Sequence, residues 1–214
     1  MTNLKRLFYI LHILRKNFLI SIISFLLTFA FVACGDSVNV EAEGNGDDSN
    51  KIYEIGDIGP GGGIIFYRND GGFTMTHNHL TAHYLEAAPA DIGYFMWATL
   101  TYQDDNIPGA NGTAIGTGMS NTISMSQIDL GNPAATACRN YKGGGKTDWF
   151  IPSIDELSEL YKERAAVGNL SAADYYWSSS EYDKTQAHSF YFYNGYDPRS
   201  HKSAPIAVRP IRAF

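Results

Sequence analysis

The chain has 214 residues, a formal net charge of −6 and 18% charged side chains. This length suggests one domain whose core needs no disulfide bonds, and the acidic balance argues against a nucleic-acid partner. The 21 glycines and 14 tyrosines favour short strands and many turns, so we expect a mostly β or α+β fold.

The N-terminus has the pattern of a bacterial signal peptide. Four basic residues precede an uncharged apolar run over residues 17–34, which ends in "FVAC" and is followed by a polar stretch. The run is short for a membrane-spanning helix, and its end resembles the lipobox of a bacterial lipoprotein. We predict a signal peptide over residues 1–33 and lipidation of Cys34, which anchors the protein to a membrane of the cell envelope, facing the periplasm or the cell exterior. The alternative is an uncleaved N-terminal anchor helix.

An acidic tether is predicted after Cys34. Residues 35–50 carry five acidic side chains, no basic ones and almost no large apolar groups, so we expect residues 34–50 to be disordered. Removal of the signal peptide leaves 12 basic and 22 acidic residues, a net charge of −10. The remaining cysteine, Cys138, is expected to be a buried apolar residue. The folded domain is predicted to span residues 51–214.

Strand patterns open this domain. The apolar residues 64–67 follow a Gly-Pro-Gly-Gly-Gly turn that leads into β-branched side chains, which is typical of a strand and not of a phosphate-binding loop. "HYLEAAPADIGYFMW", residues 83–97, predicts a second strand closed by Pro89. Residues 101–132 are polar and rich in glycine, so we expect a long ligand-facing or capping loop.

Two helices are predicted next, near residues 133–141 and 153–165. The first has Asn132 as its N-cap and Pro133 at its first helical position. The second begins with a capping box, Ser153 and Glu156, and continues with apolar residues at helical spacing. Acidic residues at its start favour the helix dipole, so a catalytic carboxylate pair is not the preferred interpretation.

The last third predicts three strands, in "YYWSSSEYD", "AHSFYFYNG" and "PIAVRPIRAF". Strand alternation puts Ser178 and Ser180 on one face with Tyr176, and Ser179 on the other face with Trp177. The serines are therefore interpreted as structural. The alternative is a hydrolase built on Ser179 or Ser180 with His188.

Several separated segments occur in the order typical of one bacterial extracytoplasmic family. They are "IGDIGPGGGIIFY", "YLEAAPADIG", "IGTGMSNT", "AATACRNYKGGGKTDWFIPSIDELSELY", "YYWSSSEYD" and "VRPIRAF". Over residues 53–214 the chain resembles the C-terminal domain family of the Legionella collagen-like adhesin. The resemblance implies an α+β, C-type-lectin-like domain with two helices, a curled antiparallel sheet and long irregular loops.

The resemblance identifies few residues with a chemical role. The adhesin's own domain is associated with sulfated glycosaminoglycans, but the family has no single established activity, and the sequence contains no collagen repeat. The matching positions, such as Trp149, Pro152 and Arg209, look like scaffold. The sequence lacks the Glu-Pro-Asn triplet of the calcium-binding lectins. Its single mature-domain cysteine excludes the copper-holding cysteine pair of the formylglycine-generating oxidases, which share this fold.

Two segments are candidate metal sites, although no cofactor is required by the predicted function. His77, His79 and His83 could bind zinc from a strand and turn, or they could be solvated loop residues. Asp104 and Asp105 could supply oxygens to calcium, but they lack the spacing of an EF-hand loop.

Aromatic side chains are the candidate glycan-binding residues, because a ring with a polar tip can stack on a sugar. They are Trp97, Tyr102, Tyr191, Tyr193 and Tyr196. The alternative is that these rings form the core. Basic residues near the C-terminus, including Arg199 and Lys202, predict a positive patch for a sulfated or carboxylated glycan. Arg209 and Arg212 could instead be buried partners of Asp148 or Glu181.

The combined pattern favours a binding module over an enzyme. We expect a membrane-anchored surface lipoprotein that recognises a glycan or an extracellular protein in an adhesion-type role, without catalysis. The alternatives are a structural envelope lipoprotein without a specific ligand and the serine hydrolase described above.

Overall fold

The structure is a computed structural model that describes residues 51–128 and 131–214. The predicted signal peptide, the lipidation site Cys34 and the acidic tether lie outside these residues. Within the described ranges, no helix is both long enough and apolar enough to cross a membrane.

Two sheets organise the described residues. The strands are β1 (Ile64–Thr74), β2 (Thr81–Ala87), β3 (Gly93–Phe95), β4 (Tyr175–Glu181), β5 (Gln186–Tyr191), β6 (Arg199–His201), β7 (Ile206–Val208) and β8 (Ile211–Ala213). A three-stranded antiparallel sheet has the order β1-β2-β8, and a five-stranded sheet has the order β3-β7-β4-β5-β6. The pair β4 and β7 is parallel, and the other pairs of the five-stranded sheet are antiparallel. Pro210 separates β7 from β8, so the predicted last strand is divided between the two sheets.

Helices pack with both sheets. In the described ranges the α-helices are α1 (Gly118–Ser126), α2 (Pro133–Asn140), α3 (Ile154–Lys162) and α4 (Arg164–Val167), with a 3₁₀ turn at Gly143–Gly145. The α+β class is confirmed, whereas the expected number of two helices is wrong. Helix α1 lies in the stretch predicted to be irregular, because buried tertiary contacts of Met119 and Met125 stabilise a sequence with weak helical patterning.

The predicted N-terminal cap is confirmed for one helix and wrong for another. In α3, the Glu156 N–H lies 3.3 Å from Ser153 Oγ, and Glu156 Oε2 accepts from the Ser153 N–H at 2.7 Å, so the predicted capping box is present. In α2, Pro133 lies at the helix start as expected. The Asn132 side chain does not cap that helix, because its Nδ2 donates to the Trp97 carbonyl at 2.9 Å.

Strand β4 lies between two hydrophobic clusters. Tyr176 belongs to the cluster that contains Leu157 and Phe190, and Trp177 belongs to the cluster that contains Met125 and Cys138. The predicted alternation is therefore confirmed for Tyr176 and Trp177, and both faces of this strand are covered, whereas the pairing of β4 with β5 is irregular between Trp177 and Glu181. Cys138 is fully buried as expected, and burial raises the pKa of its thiol.

Candidate ligand-binding surface

Three exposed tyrosines and one partly buried tyrosine form an aromatic surface at one end of β4 and β5. This tyrosine surface consists of Tyr175, Tyr191, Tyr193 and Tyr196. Tyr175 and Tyr191 are paired across the two antiparallel strands, and an isolated bridge joins Tyr191 to Tyr196. Large apolar groups that remain exposed side by side on one surface indicate an interaction site.

A tight turn brings Tyr193 and Tyr196 beside the strands. The Tyr191 N–H donates to the Tyr196 carbonyl at 2.8 Å, and the Gly195 N–H donates to the Tyr191 carbonyl at 2.9 Å. Gly195 has a φ of 77°, and a side chain there would meet the ring of Tyr161. The "FYNGY" sequence therefore folds into a turn that holds its tyrosines on the surface.

Three rings of this surface, those of Tyr175, Tyr191 and Tyr193, are in ring–ring contact. Tyr175 and Tyr191 have ring centroids 4.3 Å apart and planes inclined by 10°, while Tyr191 and Tyr193 lie 5.8 Å apart at 34°. The exposed fractions are 41% for Tyr175, 72% for Tyr193 and 60% for Tyr196. Stacked neighbours reduce ring motion, so a flat ligand meets a surface that is already arranged.

Acidic side chains flank the tyrosine surface. Asp174 accepts a hydrogen bond from the Tyr94 hydroxyl at 2.8 Å, and this bond raises the pKa of Tyr94. Asp197 lies 3.1 Å from Nδ1 of His188. The phenol tips and adjoining carboxylates offer both donors and acceptors, which suits the hydroxyl groups of an uncharged sugar.

The expected positive patch is wrong, because most of its cations are internal. Lys202 is fully buried, and its Nζ donates to Glu181 Oε1 at 2.5 Å and to the main-chain carbonyls of Asp105 and Lys184. Arg209 pairs with Asp91 at 2.6 Å. Each charge is held by nearby oxygens, which is the condition under which a cation can be buried.

Arg212 is also internal and pairs with two carboxylates. Its Nε donates to Asp148 Oδ1 at 2.6 Å, and its Nη1 donates to Glu86 Oε1 at 2.8 Å. The alternative assignment of Arg212 to Asp148 is therefore the correct one. Arg199 remains exposed, and its guanidinium lies 4.3 Å from the ring centroid of Tyr182.

Two predicted aromatic ligand residues lie away from the tyrosine surface. Trp97 is fully buried, and its Nε1 donates to the Ser178 carbonyl at 2.9 Å, so its expected contact with a ligand is wrong. Tyr102 is partly buried and packs against the same hydrophobic cluster as Trp97. Of the predicted aromatic residues, the structure brings together Tyr191, Tyr193 and Tyr196.

The candidate metal ligands are not gathered into a site. Among residues 51–128 and 131–214, no group of three or more His, Cys, Asp or Glu side chains is arranged to hold a metal ion. His83 Nδ1 lies 3.1 Å from the Asn69 carbonyl, and His77 borders a cavity instead. The Lys202 ammonium lies 2.8 Å from the Asp105 carbonyl, so a fixed positive charge already lies beside the Asp104 and Asp105 segment.

The three serines of β4 are fully buried and bond to the main chain. The hydroxyl of Ser178 donates to the His188 carbonyl at 2.9 Å, that of Ser179 to the Pro152 carbonyl at 3.2 Å, and that of Ser180 to the Gly112 carbonyl at 2.7 Å. These bonds connect β4 to the loops around it. The His188 ring pairs with Asp197 and not with a serine hydroxyl.

Sequence reasoning missed Tyr175 and Tyr94 as surface residues. Tyr175 is the first residue of β4 and faces Tyr191 across the strand pair. The hairpin register could have revealed this neighbour, because residues directly opposite each other on antiparallel strands share a face. Tyr94 is exposed through its position on the edge strand β3, which depends on long-range pairing.

Comparison with known proteins gives one family. No curated protein matches the chain. The family model described as the Lcl C-terminal domain matches residues 89–212, which include strands β3 to β7, part of β8, helices α1 to α4 and the whole tyrosine surface.

Proposed function

Because the chain belongs to the Lcl C-terminal domain family, whose association is with a surface adhesin, we propose that it is a membrane-anchored binding module of the cell envelope. The proposed ligand is a glycan that contacts the tyrosine surface in an adhesion-type role. The proposal assigns no catalytic step to the protein and no required cofactor.

The observation that supports this function is the ordered, exposed stack of tyrosines. A sugar ring presents an apolar face and a rim of hydroxyls, and tyrosine offers an apolar ring with a polar tip. The rings of Tyr175 and Tyr191 are nearly parallel, and Tyr193 and Tyr196 extend the surface beyond the strands. Tyr175 and Tyr191 each cover one face of the other, so the remaining face of Tyr175 and the more exposed rings of Tyr193 and Tyr196 are the surfaces offered to the rings of a polysaccharide.

The charged side chains near the tyrosine surface favour a neutral glycan over a sulfated one. Asp174 and Asp197 adjoin the tyrosine surface in the chain, whereas Lys202, Arg209 and Arg212 are occupied by buried ion pairs. Two of the exposed cations, Arg164 and Arg199, are stacked on the rings of Tyr161 and Tyr182. An acidic chain repels polyanions at long range, so we expect sulfated polysaccharides to bind more weakly than neutral ones.

Binding of the full chain in detergent to immobilised neutral and sulfated polysaccharides tests this function. Tyr193→Ala and Tyr196→Ala should each weaken binding to a neutral polysaccharide by about tenfold, since an aromatic contact is worth about 1 kcal/mol or more. The matched control is Tyr182→Ala, because Tyr182 is 50% exposed and is not part of the tyrosine surface. The proposal would be contradicted if all three variants lost the same amount of binding affinity, or if the wild-type protein bound none of the immobilised polysaccharides.

The membrane anchor is a separate part of the proposal, supported by the lipobox-like sequence that ends at Cys34. Growth with a radiolabelled fatty acid should label the full chain, and Cys34→Ala should abolish that label while Cys138→Ala leaves it unchanged. Label that persists in Cys34→Ala would contradict lipidation at this cysteine.

A further inference from the structure

A cavity of about 340 Å³ borders the three-stranded sheet. Its wall is largely apolar and includes Met75, Leu80, Met119, Phe150 and Phe214. Part of the wall comes from residues 75–82 and 213–214, which lie outside the residues that match the family model. The cavity borders a different sheet from the one that carries the tyrosine surface.

One arginine and one carboxylate line the cavity side by side. Arg212 uses Nε for Asp148 and Nη1 for Glu86, and its Nη2 has no hydrogen bond within the described ranges. If Nη2 were completely enclosed, it would be a buried donor without a hydrogen-bond partner, and it is not one. Its N–H groups therefore reach solvent-accessible space. Since Arg212 is about nine-tenths buried, a cavity ligand is the natural acceptor for these donors.

Asp148 places a negatively charged hydrogen-bond acceptor next to the donors of Arg212. Its Oδ1 accepts from Arg212, its Oδ2 has no partner among the described residues, and its side chain is 45% exposed. A ligand that spans this pair therefore needs an accepting anionic group for Arg212 and a donating cationic group for Asp148.

The surrounding charges favour a ligand that carries both a positive and a negative group. Arg139 Nη1 lies 3.5 Å from Met119 Sδ and forms no ion pair within residues 51–128 and 131–214, so it adds a positive charge beside the cavity. Burial and the nearby Arg139 lower the pKa of His77, which leaves that imidazole neutral. The charges of Arg139 and Arg212 balance those of Asp148 and Glu86. The methionines and His77 do not suit a soft metal cation, because a guanidinium already contacts Met119.

Cavity volume limits the ligand's size. A volume of about 340 Å³ holds about eleven water molecules at roughly 30 Å³ each, and bonded non-hydrogen atoms need less space than water molecules do, so a ligand of the size of phenylalanine fits. This size is at the lower end of the range for small-molecule sites.

We propose that this cavity binds a free α-amino acid with a large apolar side chain. The ligand's carboxylate accepts from Arg212 Nη2, and its ammonium donates to Asp148 Oδ2. Its side chain packs against the accessible apolar groups of the wall, Leu80 and Phe214, with the largely buried Met75 and Met119 behind them. This site is independent of glycan binding at the tyrosine surface.

Methionine methyl NMR on the full chain in detergent tests the site, with L-phenylalanine, 3-phenylpropionate and phenethylamine as probes. The methyl signals of Met75 and Met119 should shift saturably with L-phenylalanine, with a dissociation constant of about 1 mM or below. The signal of Met125, which is fully buried in the other cluster, is the internal control. Each probe that lacks one charged group should bind about tenfold more weakly.

A substitution separates the two charged contacts. Asp148→Asn should weaken L-phenylalanine by about tenfold but should not weaken 3-phenylpropionate, because this probe has no ammonium and the lost negative charge next to Arg212 no longer repels its carboxylate. The matched control is Asp70→Asn, since Asp70 also accepts from an arginine Nε, at 2.7 Å, but lies on the exposed side of β1. An unshifted Met125 signal in each variant shows that the fold is intact.

Three results would overturn the proposal. They are the absence of a saturable shift at Met75 and Met119, equal affinity for all three probes, and an equal effect of Asp148→Asn on L-phenylalanine and 3-phenylpropionate.

Discussion

Glu156 makes the stability of this fold depend on pH. Its carboxylate is fully buried and accepts N–H groups from Ser153 and from Gly116, so it joins the start of α3 to the loop before α1. Burial disfavours the charged form more than these hydrogen bonds favour it, and the pKa of Glu156 is raised from its ordinary value of 4.5 to about 7.

The sign of the pH effect follows from proton binding. Between pH 4.5 and pH 7 the folded state holds a proton on Glu156 that the unfolded state has lost, so the free energy of unfolding falls as the pH rises. At about 1.4 kcal/mol for each pKa unit, the contribution lost across this window is about 3 kcal/mol.

Urea unfolding of the full chain at pH 5 and pH 8 measures this contribution. Glu156→Gln should remove the part of the pH dependence that Glu156 causes, because glutamine does not ionise in this range. The matched control is Glu159→Gln on the same helix, where the side chain is partly exposed and pairs with Lys162. If the wild type and Glu156→Gln show the same difference between pH 5 and pH 8, the assignment to Glu156 is wrong.

Further predictions concern the internal ion pairs and the cysteine. Lys202→Met leaves the carboxylate of Glu181 without its 2.5 Å partner, so the free energy of unfolding should fall by about 3–5 kcal/mol in urea unfolding. The double variant with Glu181→Gln should recover part of this loss, and no recovery would argue against an unpaired charge as its cause. Cys138 should react with a thiol reagent in the folded chain no faster than unfolding exposes it, because its thiol is buried and has a raised pKa. Fast stoichiometric labelling of the native protein would contradict this placement.

The sequence predicted correctly those features that depend only on residues close together in the chain. The capping box of Ser153 and Glu156 and the alternation of Tyr176 and Trp177 depend on neighbouring residues, and the structure contains both. The family membership and the α+β class followed from ordered motifs. The C-type-lectin-like assignment and the lipid anchor remain predictions.

The errors arose where tertiary contacts determine the outcome. Lys202 looked like a surface cation, but its carboxylate partner, Glu181, is distant in the chain. Helix α1 forms within a Gly-rich stretch because the rest of the fold buries Met119 and Met125. Sequence spacing contains no direct information about such pairs, so the exposed tyrosines could not be separated from the buried Trp97 before the fold was known.

Ring-labelled tyrosine NMR of the full chain with a neutral polysaccharide tests whether the tyrosine surface binds glycans. If it does, the signals of Tyr175, Tyr191, Tyr193 and Tyr196 shift together as the polysaccharide is added, while the signal of Tyr182 stays in place. Shifts confined to tyrosines outside the tyrosine surface, or unchanged signals from its four members at saturation, would show that glycans do not bind there.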